Sequence, residues 1–232
     1  GCYDAAILYR SPFISGKDSL NNEYVGKDGE RHAIPGTLLI SSIAIHQDVR
    51  KAVSMDLKSA GNQVFLIGEW QPSLLGGYAL KIVDSEYFGD SDALQKVPQL
   101  TEITPQVYAS FHQAVQDGLI KAAHDLNEGG LAVAAAEMTL AGRLGLTLDV
   151  SNLDSDAKLA MFAETNGCLL VEVAEKDVQS FKELFKDTPM KPIGLVTDDA
   201  NLVVEHTGIQ ILSLPIVDLV EAYTGQSRDG AS

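Results

Sequence analysis

Apolar residues along this chain follow two rhythms, and the changes between them mark out its elements. Runs rich in Val, Ile and Leu read as strands: TLLISSIAIH (37–46) and QVFLIGE (63–69) as buried ones, and LIKAAH (119–124), LGLTLDV (144–150), GCLLVEVAE (167–175), PIGLVT (192–197) and LVVEH (202–206) as further strands. Segments with apolar residues three and four apart read as amphipathic helices. The first is QDVRKAVSMDLKSAG (47–61), with Val49, Ala52, Val53 and Leu57 inward and Gly61 as its stop. The second runs from Thr104 as cap and Pro105 at the first position through Gly118, with Val107, Phe111, Ala114 and Val115 on one face. Gly130 to Ala141, ended by Gly142, is a third, and KDVQSFKELFKD (176–187) a fourth.

Shorter signals complete the pattern. Tyr3, Ala6 and Ile7 have helical spacing with no cap ahead of them, residues 11–15 read as a short strand, and LAMFAE (159–164) as a short helix. GKDSLNNEYVGKDGERH (16–32) is too polar for a core and reads as a functional loop. Residues 70–104 are the longest weakly periodic stretch, IQILSLP and IVDLVEAY close the pattern, and TGQSRDGAS (224–232) reads as a flexible tail. Helices interleaved with strands predict an α/β (α+β) fold, a mixed sheet covered by helices, with hairpins near the end.

Composition narrows the function classes. The 232 residues are 45% hydrophobic with 20 glycines and 8 prolines, a globular balance. A formal net charge of −15 argues against wrapping nucleic acid or docking on acidic lipid, because both need clustered Lys and Arg. The 2 cysteines, Cys2 and Cys168, cannot make a disulfide framework and suit a reducing, cytoplasmic setting, with a single bridge left open. No apolar run reaches the roughly 20 residues that span a bilayer, so no membrane partner is expected. The opening Gly-Cys-Tyr-Asp has no initiator Met and starts inside a helical pattern, which predicts a truncated chain.

Two places carry candidate chemistry. In Gly16-Lys17-Asp18-Ser19, Lys offers a mobile charge to phosphate, Asp suits Mg²⁺, Ser can donate a hydrogen bond and Gly lets backbone come close; a solvated turn explains the same residues. The Gly-x-x-x-x-Gly-Lys-Ser/Thr spacing of a phosphate loop is absent. The second place is AHDLNEGGLAVAAAEMTLAGRLG (123–145), where a helix beginning near Glu128 takes Asn127 as its cap and leaves the N–H groups of Gly129 and Gly130 as unpaired donors. Carboxylates at Asp125 and Glu128 repel a bare phosphate, and a divalent cation between them removes the conflict. The structural alternative has Glu128 offsetting the helix dipole, the glycines allowing close packing, and His124 as a hydrogen-bonded structural histidine. No zinc spacing and no nucleophile elbow occurs.

Taken jointly, SPFISGKDSLNNE, GTLLISSIAI, LLGGYAL and AAHDLNEGGLAVAAAEMTLAGRLGLTLDV, in this order and spacing, resemble the second half of the phosphoribosylformylglycinamidine synthase family. That family belongs to the aminoimidazole ribonucleotide synthetase superfamily, and the similarity covers most of the chain. The resemblance implies residues 1–60 as a remnant of the preceding N-terminal-type domain and 61–223 as the C-terminal synthetase-like domain. It implies a ligase reaction of purine biosynthesis, in which formylglycinamide ribonucleotide, ATP and glutamine-derived ammonia give formylglycinamidine ribonucleotide, ADP and phosphate. Lys17, Asp18 and Ser19 match the family's GKDS nucleotide-phosphate segment, and Asp125 an aspartate that looks like a Mg²⁺ ligand; Gly129 and Gly130 as nucleotide-binding residues and Glu128 as a second metal candidate rest on the helix-start reading above. The cofactors implied are ATP or ADP and Mg²⁺. The partners implied are the missing N-terminal half and a glutaminase domain or subunit, and truncation would expose apolar surface that favours a homodimer.

Two positions depart from the family pattern: Asn127 and Glu128 stand where Ser and Asp are usual, and Tyr78 follows LLGG where Ser is frequent. A kinase or selenophosphate-type relative shares the architecture, but GKDSLNN differs from the Gly-Gly-Asp or Gly-Gly-His of those relatives. A non-catalytic nucleotide-binding and interface domain is the alternative from another class.

Overall fold

A computed structural model describes residues 1–17 and 22–225, which divide into two compact units, Gly1–Val49 and the chain from Arg50 onward. The first unit has little core. Helix α1 (Cys2–Tyr9) buries no residue, as expected of an element whose spacing is helical but whose apolar side chains meet nothing. The polar segment read as a loop instead contains a hairpin, β1 (Glu23–Val25) antiparallel to β2 (Arg31–Ala33). The turn rests on Gly29 in the left-handed region (φ 81°), and side chains rather than a core hold the strands. Tyr24 stacks on His32 at 5.2 Å, and Arg31 pairs with Glu23. Residues 11–15 and 37–46, expected as strands, form no strand; Leu39, Ile43 and Ile45 stand 87%, 91% and 92% exposed. A β-branched run becomes a strand only when a neighbour accepts its backbone and covers its side chains, and neither occurs among the described residues of this unit.

The second unit is built on a seven-stranded mixed sheet. Its strands are β3 (Gln63–Ile67), β4 (Ile120–Asp125), β5 (Gly145–Asp149), β6 (Leu169–Val173), β7 (Met190–Thr197), β8 (Asn201–His206) and β9 (Ile209–Pro215). They lie in the order β4-β6-β3-β7-β5-β8-β9. Every neighbouring pair is antiparallel except β5 and β8. The helices are α2 (Ala79–Ile82), α3 (Thr104–Gln116), α4 (Gly130–Gly142), α5 (Ala157–Phe162), α6 (Val178–Leu184) and α7 (Ile216–Thr224). The weakly periodic stretch 70–104 resolves into α2 and two short 3₁₀ turns, Ser85–Phe88 and Asp92–Gln95. Of the expected tail only Thr224 and Gly225 fall among the described residues, Thr224 as the last residue of α7.

Alternation along the strands loads both faces of the sheet. One core gathers Val64, Leu66, Ala122, Leu146, Leu148 and Leu170 against Leu131, Ala134, Ala135 and Met138 of α4. The other gathers Phe65, Ile67, Val171 and Val173 against Val107 and Ala114 of α3 and Phe181 of α6, where Phe65 and Phe181 rings meet at 5.0 Å. The expectation of a mixed sheet covered by helices is met.

The helix expected over 47–61 is not. Only the 3₁₀ turn Val49–Lys51 is helical, and the following residues run extended along the sheet. Ser54 makes a parallel bridge with Ala122 and accepts the Ala123 N–H at 3.2 Å; the Leu57 N–H donates to the Met138 carbonyl at 3.2 Å. Backbone groups that find acceptors on β4 and α4 have no need of an intrahelical ladder, so tertiary bonding overrides the amphipathic pattern. Gly142 makes this possible: a Cβ there would stand 2.5 Å from the Leu57 carbonyl oxygen and 2.6 Å from its nitrogen. A buried carboxylate fixes the rest of the segment. Glu172, 0% exposed on β6, accepts the N–H groups of Lys58 (2.8 Å) and Ser59 (3.1 Å) and the Asn62 amide (2.6 Å).

These contacts set two stability tests. Glu172→Ala leaves three donors without their acceptor, the buried Asn62 amide among them, and lowers the unfolding free energy in urea by about 3 kcal/mol, with Glu172→Gln, which keeps one acceptor oxygen, losing less. Gly142→Ala raises helix propensity yet lowers the urea midpoint, by about 1–3 kcal/mol of stability, because the methyl meets the Leu57 backbone.

Candidate functional site

The motif at 123–130 lies where β4 ends and α4 begins. Strand alternation puts the Leu126 side chain in the core and leaves the Asp125 side chain 60% exposed, and the Leu126 N–H anchors the loop on the Cys168 carbonyl at 3.2 Å. Burial pushes the Cys168 thiol up to about 12, so beside this loop it is an un-ionised thiol and no nucleophile. Glu128 is exposed as well, so both expected metal residues present their carboxylates to solvent from one four-residue loop.

The start of α4 differs from the reading of Asn127 as cap and Glu128 as a first-turn acid. The helix opens at Gly130 with Gly129 as its cap residue, which brings no side chain of its own to the helix end. Both glycines are left-handed, φ 85° and 63°, a pair of conformations that side chains rarely adopt in succession. Asn127 contributes through its main chain, its carbonyl accepting the Gly130 N–H at 2.9 Å. The Gly129 N–H donates to Oε1 of Glu164 at 2.9 Å. The two donors expected at this helix end thus have acceptors inside the chain. Gly130 also answers to packing, since a Cβ there would lie 2.6 Å from the Ala163 carbonyl oxygen.

His124 is held on both sides of its ring. Nε2 meets Glu137 Oε2 at 2.7 Å, while Nδ1 lies 2.8 Å from the Asp125 carbonyl oxygen and 3.3 Å from Asp125 Oδ1. Its side chain is 9% exposed. This is the structural histidine of the sequence reading, tied between α4 and the strand end.

Glu164 is the residue that pattern reading missed. It follows the short apolar helix α5, and its contacts are backbone groups 35 and 86 positions away in sequence, Gly129 and Tyr78. Its only mark in the sequence is that it is the lone acid closing LAMFAE. The Tyr78 contact also settles the departure at LLGGY: the bond comes from the main-chain N–H, at 2.6 Å, so exchanging Ser for Tyr leaves it intact. The Tyr78 ring takes Lys81 Nζ over its face at 5.4 Å instead.

The other expected residues lie in the first unit. Lys17 is exposed, and Asp18 and Ser19 fall outside the described residues. As for a metal, Asp125 and Glu128 are hard oxygen donors of the kind Mg²⁺ takes one or two at a time, completing its shell from phosphate and water. Among the described residues no three His, Cys, Asp or Glu side chains cluster closely enough to hold an ion by themselves, so the donor set fits a shared ion rather than a protein cage. No described helix is long and apolar enough to cross a membrane.

Residues 59–207 match the family described as AIR synthase related protein, C-terminal domain. Among curated relatives, phosphoribosylformylglycinamidine synthase subunit PurL of Lactobacillus helveticus is 31% identical over 88% of this chain and 26% of its own length. A probable phosphoribosylformylglycinamidine synthase of Arabidopsis thaliana is 33% identical over 91% of this chain and 15% of its own. The chain therefore spans about a quarter or less of the length of these relatives. Among solved structures, T. maritima PurL complexed with FGAR superposes with a TM-score of 0.62 over 74% of this chain and 30% of that one, at 16% identity, which speaks to the fold. The same protein complexed with ATP gives 0.57 over 74% and 27%, also at 16% identity. With the mixed sheet, its two helical layers and the matched span of residues in agreement, the chain belongs to the AIR synthase related family, as a member carrying that family's C-terminal domain.

Proposed function

We propose that this chain is part of an ATP-dependent, amidine-forming ligase of purine biosynthesis, which converts formylglycinamide ribonucleotide, ATP and glutamine-derived ammonia to formylglycinamidine ribonucleotide, ADP and phosphate. The observation that carries the reading is identity of 31–33% to phosphoribosylformylglycinamidine synthases across nearly the whole chain. Ligands and partners named for related structures support it: the T. maritima protein has been captured with FGAR, with ATP and with ADP, and within an assembly called PurLQS.

Within this reading Asp125 and Glu128 hold the Mg²⁺ of a bound nucleotide, the ion supplying charge neutralisation between carboxylate and phosphate. Lys17, Asp18 and Ser19 belong to the nucleotide-phosphate segment. Gly129 and Gly130 let the helix start approach a ligand while their N–H groups remain bonded within the chain. The rest of the synthase and a glutaminase domain or subunit are the partners, and the cytoplasm is the compartment. Residues 1–60 would be the remnant of the N-terminal-type domain and 61–223 the C-terminal domain. No residue is assigned to bond-making chemistry. The chain by itself acts as a nucleotide-binding and interface part of the enzyme.

Titrating MgADP into the purified chain by calorimetry tests the assignment. Saturable one-site binding is expected, weakened about tenfold in Lys17→Ala and in Asp125→Ala, the loss of one charged contact each. Absence of binding by the wild-type chain, or unchanged affinity in both variants, overturns it.

A further inference from the structure

Two glycine pairs far apart in sequence, Gly76-Gly77 and Gly129-Gly130, meet one side chain. The segment after α5 runs beside residues 71–78: Glu164 N–H donates to the Ser73 carbonyl (3.1 Å), Ser73 Oγ donates to the Glu164 carbonyl (2.7 Å), and Thr165 Oγ1 donates to the Gln71 carbonyl (2.7 Å). This fixed backbone aims the Glu164 carboxylate into the gap between the two loops. There Oε1 accepts both the Tyr78 N–H (2.6 Å) and the Gly129 N–H (2.9 Å). Of these glycines, Gly77 lies directly beside it. A Cβ on Gly77 would stand 3.2 Å from Glu164 Cδ and 3.3 Å from Oε1, and one on Gly130 would strike the carbonyl of the neighbouring Ala163.

The chemistry is that of two charge-assisted hydrogen bonds to one carboxylate oxygen at the start of a 13-residue helix, where a negative group is favoured by the helix dipole as well as by the two N–H donors. The negative charge expected from Glu128 at this helix start comes from a different element, and Glu128 is left facing solvent. The loop carrying Asp125 and Glu128 is therefore pinned at two points only four residues long: Leu126 N–H on the Cys168 carbonyl and Gly129 N–H on Glu164.

We propose that Glu164 is a positioning residue for the metal-nucleotide loop, acting through Gly129 to hold the Asp125 and Glu128 carboxylates in place and tying that loop to the Tyr78 loop through the same oxygen. This rests on the reading above, in which those carboxylates meet Mg²⁺. Its consequence is specific: loss of Glu164 removes the contribution of magnesium to nucleotide binding while leaving contacts to the nucleotide itself.

Calorimetric titration of ADP with and without Mg²⁺, on the whole chain as wild type, Glu164→Ala and Glu164→Gln, tests it. In Glu164→Ala, MgADP affinity falls about tenfold and magnesium-free ADP affinity stays within about twofold. In Glu164→Gln, whose amide oxygen still accepts both N–H groups, the fall is about threefold, and the Tyr78 and Gly129 amide resonances in a ¹H–¹⁵N spectrum shift together. Equal losses with and without magnesium, or a magnesium effect unchanged from wild type in either variant, overturn the proposal. Should Glu164→Ala not fold, Glu164→Gln alone decides it by the same comparison. Failure of the wild-type chain to bind MgADP overturns the nucleotide reading itself, an outcome separate from wild-type binding with an unaltered magnesium effect in the variants.

Discussion

Everything in the larger unit depends on one five-residue strand that must be apolar on both sides. In β3 the side chains of Val64 and Leu66 enter the core beneath α4, and those of Phe65 and Ile67 enter the core beneath α3 and α6. With β6 bonded on one side and β7 on the other, β3 has no free edge and no free face. Such a strand cannot slip by one residue, since a slip exchanges the two sets and puts Phe65 where α4 leaves room for small side chains. The alanines of α4 fit this constraint, since Ala134 and Ala135, set between the larger Leu131 and Met138, let the helix lie close on the filled sheet face.

The loop beyond β4 inherits its shape from that close packing. α4 can approach the sheet only if the chain turns sharply after Leu126, and the turn needs two left-handed residues in succession. Glycine meets that need without strain, but it brings no side chain to cap the helix, so the cap comes from Glu164 on a different element. The acids of the motif take no part in that cap. Asp125 and Glu128 stay exposed to solvent.

Most of this fold was legible in the sequence because its elements obey one period each. The strands from β3 to β8, and the helices α3, α4 and α6, sit where Val-, Ile- and Leu-rich runs or three-and-four spacing placed them. Residues 37–61 misled for opposite reasons. TLLISSIAIH has strand composition but finds no partner in its own unit, while the 47–61 pattern was amphipathic yet its backbone was captured by β4 and α4. At the candidate site the exposed carboxylates and the glycine pair could be read from spacing. Glu164 could not, because its partners are main-chain N–H groups, which have no residue-type signature. Asn127 misled as a cap because a cap residue and a turn carbonyl look alike until the conformation of the next two residues is known.

The extended segment through Ser54 and Leu57 has one more effect. β4 is the outermost strand at its end of the sheet, and half its backbone would otherwise offer open donors and acceptors to any passing chain. Ser54 occupies part of that rim by its bridge to Ala122, and Leu57 closes over the helix behind it. The stretch just ahead of the matched family span thus works as a selvedge: it finishes the sheet and discourages strand-by-strand growth into fibres, a duty discharged by a peptide that has no regular structure of its own.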